Sequence, residues 1–202
     1  MHDKGVEFMW SKEVLGTDVY HLVACFHVYS MLGWLVESIY MSFCNKKLTN
    51  RGFAKGPFCP IYGFGAVIGN IILTPFAGNK IVLYLMGALI ATTFEYMVGK
   101  LMQHVLGSIW WDYNEKPFNY KGIICLESTV AWGFYAIIVV GFLNNKIIET
   151  VNRMPLLTGI RLCEVILVVY LIDFTVAFAK AKGIDREEFH QIYENIQKRI
   201  GR

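Results

Sequence analysis

The sequence predicts an all-α polytopic membrane helix bundle of about five transmembrane helices, and three observations carry that prediction. Apolar side chains make up 55% of the 202 residues and charged ones only 17%. Mean hydropathy is +0.42. Hydrophobic runs approaching the roughly 20 residues needed to cross a hydrocarbon core recur along the chain, with polar clusters between them. An ordinary globular domain carries about 25% charged residues, and a chain this short could not cover so much apolar surface in water. The same figures exclude a soluble enzyme and a disordered chain. A nucleic-acid binder is excluded by a net charge of only +3 and by Lys and Arg residues that form separate clusters instead of one stripe. The five cysteines, at positions 25, 44, 59, 125 and 163, contain no CxxC pair and read as reduced, small apolar residues.

The expected spans are 19–44, 58–73, 81–102, 123–143 and 156–178, forming one membrane domain over 19–178. Residues 1–18 are charged from Asp3 to Asp18, so the first apolar run does not begin as a cleaved signal peptide would, and it stays as the first helix. The second run is short, glycine-rich and bounded by Pro57, Pro60 and Pro75, which suits a bent or partly re-entrant helix. Residues 179–202 place Phe189, Ile192, Ile196 and Ile200 at helical spacing, as in a short amphipathic tail. No period of 20 to 50 residues repeats, and no inverted repeat is detectable.

An ionisable group in mid-span costs at least about 2.5 to 3.5 kcal/mol and normally faces a partner, a cavity or water. Glu37, Glu95 and Glu127 are such groups, each expected within about 6 to 10 Å of a helix end on the same membrane face. Ala88, Ala91, Thr92 and Gly99 around Glu95, and Ser30 and Gly33 before Glu37, are small residues that let helices approach closely. The three glutamates are therefore expected to look inward, toward one another. Two loops cover this face. One carries Arg51 and Lys55; the other, 110–122, is rich in Trp and Tyr and brings Asp112, Asn114, Asn119 and Lys121 to the mouth of the bundle. His21 and His27, six residues apart, lie on different helix faces and read as packed or interfacial residues. Glu164 has Arg161 as a partner one turn earlier, and Asp173, on the opposite side of that helix and nearer its cytoplasmic end, could join the pocket but is not counted among its residues.

The segments LGWLVESIY (32–40), NRGFAKGPFCPIYGFGA (50–66), FEYMVGKLM (94–102) and WWDYNEKPFNYKGIICLES (110–128), in this order and spacing, resemble the bacterial family of ABC-transporter type IV, or CmpB-like, permeases. The resemblance covers roughly residues 25–145. It implies a permease-like transport component in the bacterial cell membrane and places emphasis on Glu37, Arg51, Glu95, Asp112, Asn119 and Glu127. The chain itself carries no GxxxxGK[ST] phosphate loop, so an ATPase subunit would be a separate chain.

The leading functional reading is a transport component whose inward carboxylates, open to the cytoplasm, hold a cation, a proton or a cationic substrate group. A structural or accessory scaffold is the second reading. The third is an intramembrane enzyme acting on a lipid head group, with Glu37, Glu95, Glu127 and Asp112 around a divalent metal. Against the enzyme, GxSxG and HExxH motifs are missing. The cofactor and the metal are unknown at this level. Expected partners are membrane lipids, a separate ATPase subunit and a second copy of the chain, and no nucleic acid.

With five spans, twelve Lys and Arg residues share the side of the C-terminus and five lie opposite, which places the C-terminus in the cytoplasm and the N-terminus outside. Cysteines introduced singly at position 48 and position 146 should label from opposite sides of the membrane with an impermeant maleimide; labelling of both from one side contradicts five spans.

Overall fold

The computed structural model describes residues 2–183, so the amphipathic segment expected over 179–202 lies, past its first residues, outside them. Among the described residues four helices are long and apolar enough to cross a membrane: α2 (Val19–Asn45), α4 (Lys80–Leu106), α5 (Leu126–Ile138) continued through a π-helical segment (Val139–Leu143) into α6 (Asn144–Asn152), and α7 (Leu156–Ala181). The second expected span is a shorter helix, α3 (Pro60–Leu73), prolonged by one 3-10 turn (Thr74–Phe76). At 1.5 Å per residue α3 is about 21 Å long, too short for a hydrocarbon core of about 30 Å. The expected N-terminal tail folds as a short helix, α1 (His2–Trp10), and a hairpin of β1 (Glu13–Val14) with β2 (Thr17–Asp18). A second hairpin, β3 (Asn119–Tyr120) with β4 (Ile124–Cys125), replaces the first turn expected of the fourth span.

Short connections at 77–79 and 153–155 alternate the helix directions. At one end of the bundle His21 bridges Asp18 and Asn152, while the Tyr20 ring lies against Gly159. At the other end Arg51, from the segment after α2, meets the carbonyl of Trp110, from the segment after α4. The starts of α2 and α7 and the ends of α2 and α4 are thereby fixed to opposite faces. A core of Trp10, Tyr20, Ala24, Tyr29, Ile147, Val151 and Ile160 ties α1, α2, α6 and α7 together. Many large apolar residues of α7, among them Val165, Val168, Val169, Ile172 and Val176, are left exposed, as a lipid-facing surface requires.

The second crossing is completed by a loop. The N–H of Cys59 donates to the carbonyl of Ser30 at 3.0 Å, and Ser30 lies about 22 Å before the end of α2. Residues 46–59 therefore descend beside α2 to mid-depth, where Pro60 starts α3. Non-helical backbone at this depth must find its hydrogen bonds within the protein, and much of this segment does. Thr49 N–H donates to Ser42 Oγ, Arg51 N–H to Ser38 Oγ and Gly52 N–H to the side chain of Asn50. Lys55 and Gly56 N–H donate to the two carboxylate oxygens of Asp173 on α7.

A tandem repeat emerges from these contacts. Residues KGPFC (55–59) followed by YGFGAVI (62–68) correspond to KGIIC (121–125) followed by WGFYAII (132–138). Each KGxxC ends at the residue preceding a helix, Cys59 before α3 and Cys125 before α5. The contacts correspond as well. Gly63 abuts Phe26 of α2, and Gly133 abuts Tyr84 of α4. Phe26 packs on Phe64 with ring centroids 4.7 Å apart, and Tyr84 on Phe134 at 5.1 Å. Because α2 and α4 run in the same direction, the two units are parallel repeats, not inverted ones. The repeat is longer than the 20 to 50 residues over which solenoid periods are sought, and its linkers differ in length, so it stands beside the expectation of no such period and no inverted repeat.

The paired glycines have a measurable consequence. A methyl group on Gly63 would lie 2.7 Å from the Phe26 carbonyl, and one on Gly133 about 2.5 Å from the Tyr84 ring, whereas Gly141 has nothing within 4 Å. Thermal unfolding in detergent should show Gly63→Ala and Gly133→Ala each destabilised by about 1 to 3 kcal/mol, with Gly141→Ala near wild type.

Candidate functional site

Glu95 lies near the middle of α4, about 16 Å from its end at Leu106. This is deeper than the 6 to 10 Å expected, because α4 continues past Lys100 to Leu106. The residue is 4% exposed. Three neutral groups donate to its carboxylate: Tyr113 hydroxyl to Oε1 at 3.1 Å, Ser128 Oγ to Oε2 at 3.1 Å, and Trp132 Nε1 to Oε2 at 3.0 Å. Among the described residues no Lys, Arg or His forms an ion pair with it.

The chain reaches this depth because residues 107–125 fold back beside α4. Gly107, at a φ of 76°, ends α4 in the left-handed region that glycine adopts freely. Trp111 then donates its indole N–H to the carbonyl of fully buried Ile123, which packs against Gly99. The first turn of α5 is thus set beside Glu95, with Thr92 and Thr129 hydroxyls 3.0 Å apart next to it. Ser128 and Trp132, four residues apart, share one face of α5 and both reach Glu95. Burial, followed by the charge of Glu95 and its hydrogen bond, pushes the Tyr113 phenol above the usual tyrosine pKa. Its phenol therefore stays protonated and donating at neutral pH.

Glu37 is the counterpart of Glu95 in the first repeat, and its environment differs. Arg51 Nε donates to Glu37 Oε1 at 2.8 Å, with both side chains about a fifth to a quarter exposed. Arg51 also reaches the Trp110 carbonyl, and Trp110 Nε1 returns a hydrogen bond to the Arg51 carbonyl, so the two re-entrant segments are stitched together. Tyr62, aligned with Trp132, crosses Gly33 and stands within electrostatic reach of Glu37. The rings of Tyr62 and Trp132 lie 5.7 Å apart, where the repeats meet. Glu37 and Glu95 are in turn within electrostatic reach of each other.

The remaining expected site residues lie elsewhere. Glu127 precedes Ser128 on α5 and so turns about 100° away from it; its side chain, 57% exposed, pairs with Lys116 at 2.8 Å. Asp112 accepts from Asn114 N–H, and Asn119 fastens its own loop through Gly122, Asn114 and Lys116. Asp173 binds the loop backbone at Lys55 and Gly56. Among the described residues no group of three or more His, Cys, Asp or Glu side chains is placed to hold a metal ion, so Glu37, Glu95, Glu127 and Asp112 do not form the metal set considered for an enzyme. Sequence reasoning missed Tyr113, Ser128 and Trp132 as partners of Glu95. The spacing of Ser128 and Trp132 was the available signal.

A cavity of about 390 Å³ opens beside this site between α2, α3, α4 and α5. Its walls are apolar, Phe94 among them, except near Tyr62, Glu95, Trp132 and Tyr135 at one end and Tyr29 elsewhere.

The family model described as "Putative ABC-transporter type IV" matches residues 24–178. The match extends through α7, beyond the region that carried the sequence resemblance. No curated protein and no solved structure matches the chain significantly.

Breaking the Glu37–Arg51 pair should separate structure from chemistry. Arg51→Met strands Glu37 and should lower stability by roughly 1 to 3 kcal/mol, less than the 3 to 5 of a fully buried pair. Adding Glu37→Gln should restore part of it. A double-mutant cycle on thermal unfolding in detergent checks this, and strictly additive effects would deny the pair a structural role.

Proposed function

The chain belongs to the ABC-transporter type IV family and is a membrane transport component; on that premise we propose that Glu95 is its loading site for a proton or a cation. One observation carries the reading: Glu95 is a mid-span carboxylate held, among the described residues, only by neutral donors, while its counterpart Glu37 has a built-in guanidinium. Removing a carboxylate's counter-charge in a low-dielectric setting is costly. A site built this way is completed when a positive charge arrives. Short helices that begin at mid-depth, where re-entrant backbone lines a cavity, are also the form in which secondary transporters build ion sites; α3 and α5 both begin so.

Glu37 and Arg51 act in this reading as the fixed strut that holds the two re-entrant segments in register. Asp112, Asn119 and Glu127 shape and anchor the loop over the site. The mouth faces the cytoplasm by the distribution of Lys and Arg, with the N-terminus outside and the C-terminus inside. ATP-driven function requires a separate ATPase subunit, for which the loops on this face are the accessible surface.

Glu95→Gln keeps the side chain's shape and deletes its charge. Since no cation is stranded, stability should fall by only about 1 to 3 kcal/mol, the cost of an imperfectly satisfied buried group. In proteoliposomes with a trapped pH dye, the wild-type chain should carry protons down an imposed gradient and Glu95→Gln should lose at least ten-fold in rate. A wild-type chain that moves none, or a Glu95→Gln chain that moves them at the wild-type rate, overturns the proposal.

A further inference from the structure

The cavity beside Glu95 differs from an ion pathway in its lining. Apart from a few aromatic hydroxyl and indole groups and Glu95, its walls are apolar, from Leu32, Val36 and Ile61 to Ile90, Phe94, Val139 and Leu143. It is elongated. On α4 it runs from Glu95 to Gly87, about 12 Å, and on α5 and the π segment from Trp132 to Leu143, about 16 Å. Val36, Ile68 and Ile138 line it and are exposed, so it opens sideways toward the lipid. Its volume of about 390 Å³ falls within the roughly 300 to 1,000 Å³ of small-molecule sites.

The polar end specifies a head group. A carboxylate offers about four acceptor positions, and Tyr113, Ser128 and Trp132 occupy three of them. One position remains, on Oε1, for a single donor bearing positive charge. A divalent metal needs six or more oxygen ligands for calcium, or near-octahedral coordination for magnesium, and among the described residues no group of three or more His, Cys, Asp or Glu side chains is placed to hold one. In the first repeat the equivalent charge is met by one N–H of Arg51.

We propose that this cavity is the binding site of an amphiphilic monoammonium ion, with its hydrocarbon tail between the two repeats and its ammonium group on Glu95. The inference rests on the reading of Glu95 as the loading site and names its substrate class. Such an amphiphile partitions into the bilayer and enters through the lateral opening, tail and charge together.

Titration calorimetry on the full chain in a nonionic detergent, with micelle-only blanks, tests this with three probes. Octylammonium carries tail and charge, octanol the tail alone, and tetramethylammonium the charge without an N–H donor or a tail. Octylammonium should bind at least ten-fold more tightly than either of the others. In Glu95→Gln its preference over octanol should vanish. Gly65→Leu fills the cavity at a position where an added Cβ meets only Phe94, at 3.6 Å, and should cut octylammonium affinity at least ten-fold with thermal unfolding near wild type. Octylammonium binding no tighter than octanol, or unchanged in Glu95→Gln, overturns the inference. If that happens while Glu95→Gln still abolishes proton flux, the occupant is the proton alone and the loading-site reading stands; if flux also survives the substitution, both fail.

Discussion

A single carboxylate in the middle of α4 sets the terms for the rest of the bundle. Burying Glu95 inside a membrane is tolerable only if hydrogen bonds replace the water it loses. The donors come from three places: the loop after α4 supplies Tyr113, the first turn of α5 supplies Ser128, and the next turn supplies Trp132. To deliver them, residues 107–125 must fold back along α4, and α5 must begin at mid-depth. Gly107, Gly122 at a φ of 67°, the β3–β4 hairpin and the Trp111–Ile123 hydrogen bond are what make that return path.

The first repeat makes the same descent by other means. Residues 46–59 carry their backbone donors to Ser38, Ser42 and Asp173, and reach Ser30 before α3 starts. Each unit therefore pairs a long helix bearing a glutamate with a short or interrupted helix bearing an aromatic residue, Tyr62 or Trp132. The units diverge in charge. Arg51 neutralises Glu37, and the corresponding loop of the second unit offers Glu95 a phenol. The proposed loading site rests on this difference: one carboxylate is paired with a guanidinium, and the other is held, among the described residues, by neutral donors.

Long apolar runs made the bundle legible in the sequence, since each is close to the length a bilayer demands. Pro57, Pro60 and Pro75 marked the short helix α3 for the same reason that they end helices. Glu37 and Glu95 were legible because a charge in an apolar run is visible without a structure. The grouping of Glu127 with them was not sound, because residues adjacent on a helix face different ways and Ser128 took the inward position. Tyr113 did not stand out among the Trp and Tyr residues of 110–122, since nothing local to that segment reveals how far the loop returns. The tandem repeat was hidden because its two halves differ by about one helical turn between the KGxxC and [YW]GF segments and by more in the loops.

Reaction with dicyclohexylcarbodiimide, which attacks protonated carboxyl groups reachable from an apolar phase, tests the central claim most directly. On the wild-type chain in membranes the account predicts modification at Glu95 and not at Glu37, read by peptide mass spectrometry, with octylammonium slowing the reaction. Modification at Glu37 in preference to Glu95, or no modification of either, would contradict it.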